Sequence, residues 1–513
     1  MPYIVESELK KLSSRCNTTP ENIPAIFLKR CCTSIALPLS IIFNKSITSG
    51  TMPNDWKRAV VKPLYKKGGR TDPSNYRPIS LTSTISKTIE RIIRRHITGH
   101  LSQNNLLSDC QYGFRSKRST DAQLLEFYGQ LLCNVALRKP SFAVYIDFKK
   151  AFDKVSIPKL VAKLRSYGII GNLLVWLESF LSNRTQVVAI KESRSRSIKV
   201  VSGVPQGSVL GPLLFLLFIN DIGDGLMSDH LLYADDLKIF SISEAMIQKD
   251  LMTLSNWCSK WQMSVAPKKC ESITFSPIKN HSMRSLPELS LNNIALPSTN
   301  IIRDLGVMFA SDLSFANHIT TIICRAQARV NIIFNILRHS TFDVVVKCYT
   351  IYIRPILEYA TVVFSPTSKS LIRKMESVQK SLVHRCLLKG GILYKSYFDG
   401  LEICGLETLE YRRLIYDLVH LYKCIVSKET TSSNNLFILL PELKSLRRHK
   451  YYIRCSLLND SKCSTQFLTN RVIGCWNSLP DEIFPVKIST RSFKNNVSSV
   501  DSTNYLILNP NNY

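Results

Sequence analysis

The chain has 513 residues, enough for about three domains. Its 45% hydrophobic and 20% charged residues predict a globular protein and exclude an intrinsically disordered one. The 67 Lys and Arg residues outnumber the 38 Asp and Glu residues, and the formal charge of +29 predicts a polyanionic partner: nucleic acid first, an anionic membrane surface second. The basic residues are spread along the chain, which favours a folded groove over a disordered basic arm.

Neither the cysteines nor the N-terminus indicates export. The 15 Cys residues have irregular spacing without a zinc-binding pattern, and residues 1–11 are too mixed and charged for a secretory signal. We therefore expect a reduced, intracellular compartment, nucleus or cytoplasm. The most apolar run, residues 209–219, is about half the length that spans a bilayer, so we predict no membrane segment.

The first hundred residues predict helices around a basic strand. Residues 1–50 are expected to be helical. Residues 56–69 predict a short strand with basic residues at both ends and a Gly-Gly turn, which is either a lysine-protected edge strand or a basic finger over phosphates. Residues 83–100 predict a helix, because isoleucines recur at helical spacing.

A basic, aromatic loop and a buried strand come next. The loop covers residues 111–120, and Thr120 is the predicted N-cap of a helix that ends near Leu137. Residues 142–148 are nearly all apolar, as expected of a buried strand, and Asp147 interrupts them near the end. Asp147 either caps the following short helix or serves as a metal-binding carboxylate.

The next segment predicts more helix and a hairpin. Asp153 is interpreted as a capping or salt-bridging residue. Residues 160–181 are expected to form a helix, and residues 186–202 a hairpin around a basic turn. Residues 203–212 contain three Gly and two Pro, which predicts a constrained loop where backbone approaches a ligand closely, followed by an apolar helix to Asn220.

Residues 231–240 place two adjacent carboxylates between two apolar runs. The runs predict two short strands, with Asp235 and Asp236 in a four-residue hairpin tip. Adjacent carboxylates repel, and burying them unpaired is costly, so a bound Mg²⁺ or Mn²⁺ ion would account for the pair. The alternative is an ordinary exposed hairpin in which Asp supplies turn chemistry.

The C-terminal half is predicted to be mostly helical. A helix (243–261) and a strand (272–275) precede a strand-and-turn pattern at 301–309. Further helices are expected near 316–338, 343–360, 368–388 and 406–426.

Three carboxylates, a close-approach loop and a basic surround suit two-metal phosphoryl transfer. In that chemistry one metal activates a hydroxyl, and both stabilise the in-line displacement at phosphorus. Nearby Lys and Arg would neutralise a triphosphate leaving group. Spacing alone does not separate a polymerase from a nuclease.

An ordered set of motifs resembles the reverse transcriptases of non-LTR (LINE-type) retrotransposons, most like the jockey-like branch. The resemblance covers roughly residues 20–500. It rests on the carboxylate motif (143–155), the Pro-Gln-Gly motif (203–222), the Tyr-Ala-Asp-Asp hairpin (233–236), and the blocks at 56–67, 75–83, 111–120, 352–360 and 476–480.

The resemblance implies an RNA-directed DNA polymerase and assigns roles to its residues. Asp147, Asp235 and Asp236 would be the catalytic carboxylates that bind two Mg²⁺ ions, with Mn²⁺ as a substitute. Lys269 resembles the lysine that is proposed to protonate the leaving pyrophosphate. The implied partners are an RNA template, a DNA primer and dNTPs, without a membrane.

Substrate-binding roles follow from the same resemblance. Phe152 matches the position that screens the sugar 2′-hydroxyl, and Gln206 matches a residue that touches the incoming nucleotide and template. Lys66 and Arg77 match fingers residues that hold the triphosphate. Phe148, next to Asp147, belongs to the same expected set.

The implied fold is α+β: a right-hand polymerase with fingers, an RRM-like antiparallel palm, a helical thumb and a mostly helical C-terminal region. The expected divisions are an N-terminal extension (1–50), fingers (51–140), palm (141–310, with an insertion at 156–202), thumb (311–390) and C-terminal region (391–513, linker-like at 427–445 and frayed at 495–513).

The sequence departs from the family's pattern in two places. Ala266 replaces the usual Asn before Pro267, which is expected to loosen the turn before Lys269. The family's N-terminal endonuclease domain does not precede the fingers, so the chain is interpreted as the polymerase part of an element. A catalytically silent nucleic-acid-binding remnant is the alternative; a group II intron-type maturase and a viral RNA polymerase fit the motifs less well.

Overall fold

The structure is a computed structural model that describes residues 2–14, 20–276, 289–430, 437–440, 449–455 and 464–508. Most of the predicted linker-like stretch, and the last five residues of the predicted frayed end, lie outside the described residues.

Helices and strands alternate in the first half of the chain, and helices dominate the second half. The helices are α1 (Pro2–Lys10), α2 (Ala25–Arg30), α3 (Cys32–Thr48), α4 (Thr84–Gln103), α5 (Thr120–Ala136), α6 (Ile157–Ser166), α7 (Gly171–Leu181), α8 (Gly211–Ile219), α9 (Glu244–Trp261), α10 (Ala316–Ile336), α11 (Phe342–Cys348), α12 (Arg354–Glu358), α13 (Lys369–Lys389), α14 (Tyr397–Ile403), α15 (Leu409–Ile425), α16 (Leu468–Ser478) and α17 (Thr490–Ser498). The strands are β1 (Arg58–Tyr65), β2 (Tyr76–Leu81), β3 (Ser141–Ile146), β4 (Arg184–Ile190), β5 (Ser193–Arg194), β6 (Ile198–Val200), β7 (Asp229–Tyr233), β8 (Asp236–Ser241), β9 (Glu271–Phe275), β10 (Ser290–Leu291), β11 (Ile294–Ala295), β12 (Ile301–Asp304), β13 (Val307–Ala310), β14 (Phe437–Leu439) and β15 (Ile453–Cys455).

The first sheet combines strands that lie far apart in the sequence. β1 pairs antiparallel with β2 and parallel with β4, with Val60 opposite Val187. β4 in turn pairs antiparallel with β5 and β6. The hairpin predicted at 186–202 therefore joins the sheet of β1 and β2, with β4 next to the basic strand β1.

The second sheet has the strand order β7-β8-β3-β9, and all of its neighbours are antiparallel. Both faces are buried: Val144 and Ile239 belong to one hydrophobic cluster, and Ala143 and Phe240 to the other. A strand buried on both faces needs continuous apolar sequence, which explains the unbroken run that predicts β3. The expected α+β class is confirmed.

The helices after residue 310 pack around a second part of the core. The Tyr422 ring of α15 stacks on the Phe493 ring of α17, with 4.2 Å between centroids. A buried ion pair of 2.7 Å joins Arg471 of α16 to Asp417 of α15. Among the described residues, none of the helices has both the length and the apolarity needed to cross a bilayer.

Two predicted helix features differ in the structure. Ser119, not Thr120, caps α5, because its side chain accepts the hydrogen bond from the Ala122 N–H at 3.1 Å. The helix predicted at 160–181 is two helices, α6 and α7. Gly168 lies between them with a φ of +78°, a conformation that ends a helix.

The C-terminal predictions need further corrections. The helix predicted at 343–360 is interrupted by a π-helical turn, Tyr349–Ile353, before Pro355, which cannot donate a backbone hydrogen bond. The sequence did not predict α14. The end predicted as frayed is packed as far as the structure describes it: the Leu508 N–H donates to the Glu410 carboxylate at 2.8 Å, and Leu508 is buried.

Glu90 connects α4 to the start of α8. Its carboxylate is fully buried and accepts hydrogen bonds from the N–H groups of Val209 (2.7 Å) and Leu210 (3.2 Å) and from the Ser86 hydroxyl (2.9 Å). Burial raises the pKa of the Glu90 carboxyl, which these hydrogen bonds only partly oppose. The constrained loop before α8 is thereby fixed to α4.

We predict that Glu90→Leu lowers the free energy of unfolding by about 2–4 kcal/mol, because two buried N–H groups lose their acceptor. Urea denaturation followed by circular dichroism measures the change. Glu90→Gln is the matched control, since it keeps an acceptor oxygen and should retain most of the stability. Equal losses in both variants would contradict this role for the acceptor.

Candidate active site

The two adjacent carboxylates lie at a hairpin that is tighter than predicted. Tyr233 pairs with Asp236, so only Ala234 and Asp235 form the turn between β7 and β8. Ala234 has a φ of +56°, in the left-handed region that residues with a Cβ rarely adopt. Asp235 is therefore a turn residue, whereas Asp236 begins a strand.

Asp147 lies beside this hairpin at the same end of the second sheet. It directly follows β3, and Ile146 is paired with Leu237, the residue after Asp236. The Asp147 carbonyl accepts a hydrogen bond from the Ala266 N–H at 2.8 Å. The next short helical turn has Lys150 at its N-cap position, so Asp147 is not its cap.

Asp235 and Asp236 both have a raised pKa. Burial, reinforced by Asp235, Asp304 and Asp147, raises the pKa of Asp236 from 3.8 to about 6. Burial also raises the pKa of Asp235, and the Asp147 carboxylate adds to that effect. Burial and the neighbouring carboxylates therefore both disfavour the ionised forms of Asp235 and Asp236.

Lys238, which was not among the predicted site residues, is a cation that lowers the pKa of Asp236 against the effect of burial. Its ammonium forms a buried ion pair with Asp304 of β12 and lies 4.4 Å from the centre of the Phe127 ring. The Tyr145 hydroxyl donates to the same Asp304 carboxylate at 3.1 Å. Residues two apart in a strand share a face of the sheet, so the sequence pattern of β8 already places Lys238 on the same face as Asp236.

A cavity of about 160 Å³ opens beside the carboxylates, and Asp147, Asp236 and Lys269 share its lining with Arg303 and Asp304. Lys269 is exposed and ends a short helical turn, Pro267–Lys269, whose Lys269 N–H donates to the Ala266 carbonyl at 2.8 Å. The turn is therefore hydrogen-bonded despite the alanine in place of asparagine.

Two cations of the first sheet act on Asp235. Arg77 and Lys66 are exposed at the ends of β2 and β1, and both lower the pKa of Asp235 against the effect of burial. Backbone pairing fixes them together, since Leu64 is opposite Arg77 and the Lys66 N–H donates to the Asn75 carbonyl at 2.9 Å. Both predicted cations are therefore close enough to Asp235 to act on its charge.

Phe152 lies in a row of three aromatic rings. Its ring stacks on Phe215 of α8 with 4.1 Å between centroids, and Phe114 meets it edge-on at 6.5 Å. The ring is therefore held in a fixed orientation. Phe148 is different: its side chain is buried in the hydrophobic core, which leaves it no surface for a substrate.

Gln206 is held between the two sheets. Its side-chain amide donates to the Asp153 carboxylate at 2.8 Å, and its carbonyl accepts from the Ser80 N–H of β2 at 2.8 Å. A Cβ on Gly207 would lie 2.3 Å from the Ser80 carbonyl oxygen, so only glycine fits there. Asp153, predicted to cap a helix or form a salt bridge, instead orients Gln206.

The donor set is chemically suited to a hard divalent cation, since carboxylate oxygens are the ligands that Mg²⁺ prefers. In the described part of the chain, no three Asp, Glu, His or Cys side chains already converge as a metal-binding group. A metal at this site therefore belongs to the proposals below.

We predict that Asp236→Asn raises the melting temperature of the metal-free protein by about 1–2 °C at pH 7.5. The native carboxyl holds its proton up to about pH 6 and the unfolded one only up to about 3.8, so ionisation of Asp236 destabilises the fold above that range. The gain should shrink as the pH falls from 6 towards 3.8. Differential scanning fluorimetry across this range, in EDTA, measures it; a gain independent of pH would contradict the explanation.

Comparison with known proteins identifies the region. A reverse transcriptase (RNA-dependent DNA polymerase) family profile matches residues 64–308. The probable RNA-directed DNA polymerase from transposon BS of Drosophila melanogaster is 29% identical over 400 residues, 73% of this chain and 43% of that protein. The RNA-directed DNA polymerase from mobile element jockey of Drosophila funebris is 29% identical over 369 residues, 68% of this chain and 40% of that protein.

The chain thus spans about two fifths of the length of these relatives. A solved structure of apo telomerase from Candida tropicalis is similar with a TM-score of 0.38 and 13% identity, over 55% of this chain and 60% of that one. The palm sheet, β7-β8-β3-β9, and the helical C-terminal region are consistent with a right-hand polymerase. The chain contains a reverse transcriptase (RNA-dependent DNA polymerase) domain at residues 64–308, homologous to the RNA-directed DNA polymerases of non-LTR retrotransposons.

Proposed function

We propose that this protein synthesises DNA on an RNA template by adding dNTPs to a primer 3′-hydroxyl. The observation that carries the proposal is that Asp147, Asp235 and Asp236 lie at the same end of the palm sheet, where Arg77 and Lys66 of the first sheet lower the pKa of Asp235. Carboxylates opposite cations suit a reaction that joins a hydroxyl to a triphosphate. The charge of +29 supports binding of the nucleic-acid backbone.

The proposed division of labour follows the position of each side chain. Asp147, Asp235 and Asp236 would hold Mg²⁺, which when bound lowers the pKa of the primer hydroxyl and offsets the charge that develops on phosphorus. Lys66 and Arg77 bind the triphosphate. Lys269, which shares a cavity with Asp147 and Asp236, donates a proton to the departing pyrophosphate.

Selection of the nucleotide falls to Phe152 and Gln206. The Phe152 ring cannot swing away easily, because Phe215 stacks on it and Phe114 meets its edge. A fixed ring beside the sugar excludes a 2′-hydroxyl sterically. Gln206 contacts the base pair, with Asp153 fixing its amide.

The division into fingers (51–140), palm (141–310), thumb (311–390) and C-terminal region (391–513) remains a proposal of the same kind. The insertion at 156–202 contributes β4, β5 and β6 to the sheet of β1 and β2, which supports its assignment to both fingers and palm.

Primer extension tests the function. Purified protein with poly(rA)·oligo(dT), dTTP and Mg²⁺ should extend the primer, and Asp235→Asn and Asp236→Asn should reduce extension to background while template binding persists, since the basic surface is unchanged. Gel analysis of labelled primer and a filter-binding assay measure the two properties. Extension by the Asp235→Asn variant would overturn the mechanism. Template binding without any wild-type extension would instead identify a silent remnant.

Substitution of Phe152 tests the proposed sugar discrimination. Phe152→Ala should reduce the ratio of dNTP to rNTP incorporation (kcat/KM) on the order of 10-fold or more, because the excluded volume is lost. Phe152→Tyr, which keeps the ring, should preserve discrimination. Single-nucleotide incorporation of dTTP and UTP gives both ratios, and an unchanged ratio in the alanine variant removes Phe152 from this role.

A further inference from the structure

Residues 110–113 form a short segment along the outer edge of the hairpin that carries Asp235. The Leu232 N–H donates to the Cys110 carbonyl at 2.8 Å, and the Tyr112 N–H donates to the Leu232 carbonyl at 2.8 Å. Gln111 is thus paired with Leu232 in a parallel bridge. The segment acts as an additional edge strand beside β7.

The Gln111 side chain reaches from this segment to the turn. Its Oε1 accepts hydrogen bonds from the Ala234 N–H at 3.0 Å and from the Gly113 N–H at 2.7 Å. Its Nε2 donates to the Ala234 carbonyl at 3.4 Å. Gln111 is only 3% exposed, so these contacts are shielded from water, and one amide holds both backbone groups of the residue before Asp235.

Gly113 makes this close approach possible. A Cβ at this position would lie 2.4 Å from the Ala234 backbone nitrogen and 3.1 Å from its Cα. Any larger residue would push the segment away from the turn and pull Gln111 out of reach. The pairing of Gln111 with a glycine two residues later is therefore a steric requirement of the contact.

The segment has its own anchors away from the hairpin. The Tyr112 hydroxyl donates to the Glu126 carboxylate of α5 at 3.0 Å. Arg118 lies 4.7 Å from the centre of the Tyr112 ring and donates to Asp109 at 2.8 Å. Because α5 packs in the core, the Gln111 side chain projects from a fixed support and does not simply follow the hairpin.

We propose that Gln111 is a positioning residue: it holds Ala234 in its left-handed conformation and thereby sets the place of the Asp235 carboxylate. Alanine at a φ of +56° has no intrinsic preference for that conformation, so the turn depends on an outside contact. The catalytic consequence of this inference rests on the polymerase activity proposed above.

Gln111→Met tests the proposal, because it keeps the length of the side chain and removes its hydrogen bonds. We expect a fall in kcat of about 10- to 100-fold from the misplaced carboxylate, with the KM for dTTP and the Kd for the primer–template within about twofold of wild type. Ala234→Gly in the same chain should restore most of kcat, since glycine adopts a positive φ without help.

Gln248→Met is the matched control. Gln248 makes the same two-way contact with a backbone, donating to the Ser290 carbonyl at 2.9 Å and accepting from the Ser290 N–H at 2.9 Å, on a different element. Its loss should leave kcat near that of wild type. An equal fall in kcat in the Gln248 variant, or no rescue by Ala234→Gly, would show that Gln111 is merely structural and overturn the proposal.

Hydrogen–deuterium exchange separates this inference from the proposed function, because it needs no activity. In Gln111→Met, peptides covering residues 229–240 should exchange faster, while peptides from β3 and α5 stay protected. If the wild-type protein shows no polymerase activity but the Gln111→Met variant still exchanges faster over residues 229–240, the contact is upheld and only the proposed polymerase function is refuted. Unchanged exchange over 229–240 would refute the role of Gln111.

Discussion

The placement of Asp147, Asp235 and Asp236 at one end of the palm sheet is the constraint on which the site depends. Their backbones lie in or beside a sheet that is buried on both faces, which fixes where the three side chains begin. Nearby cations partly oppose the raised pKa values of two of these carboxyls. The buried Lys238 lowers the pKa of Asp236, and Arg77 and Lys66 of the first sheet lower the pKa of Asp235.

The fingers and palm are connected on the side of the site where selection of the nucleotide is proposed. The loop before α8 contacts β2 through Ser80 and contacts the turn after β3 through Asp153. At Gly207 the backbones are too close for any side chain. Gln206 is consequently fixed from both sides, and a movement of the fingers sheet would change its direction relative to the carboxylates.

Local pattern predicted most of the elements, since periodic isoleucines marked α4 and an unbroken apolar run marked β3. It failed where the outcome depends on a distant partner or on a choice between neighbours. The apolar pattern of 160–181 continues across Gly168, and Ser119 and Thr120 are both acceptable caps. The carboxylates and Gln206 were recognisable as motifs, but the contact between Gln111 and Ala234 joins residues 123 positions apart and leaves no trace in spacing.

The parallel pairing of β1 with β4 has a consequence for how this chain can be divided. β1 belongs to the segment expected to be fingers, yet its partner, Arg184–Ile190, is synthesised only after β3, α6 and α7. Until then one edge of β1 stays open, and such edges recruit other chains. A fragment that stops at residue 140 would carry this unpaired edge permanently, so a fragment meant to hold the first sheet must continue through β3, α6 and α7 to the end of β4.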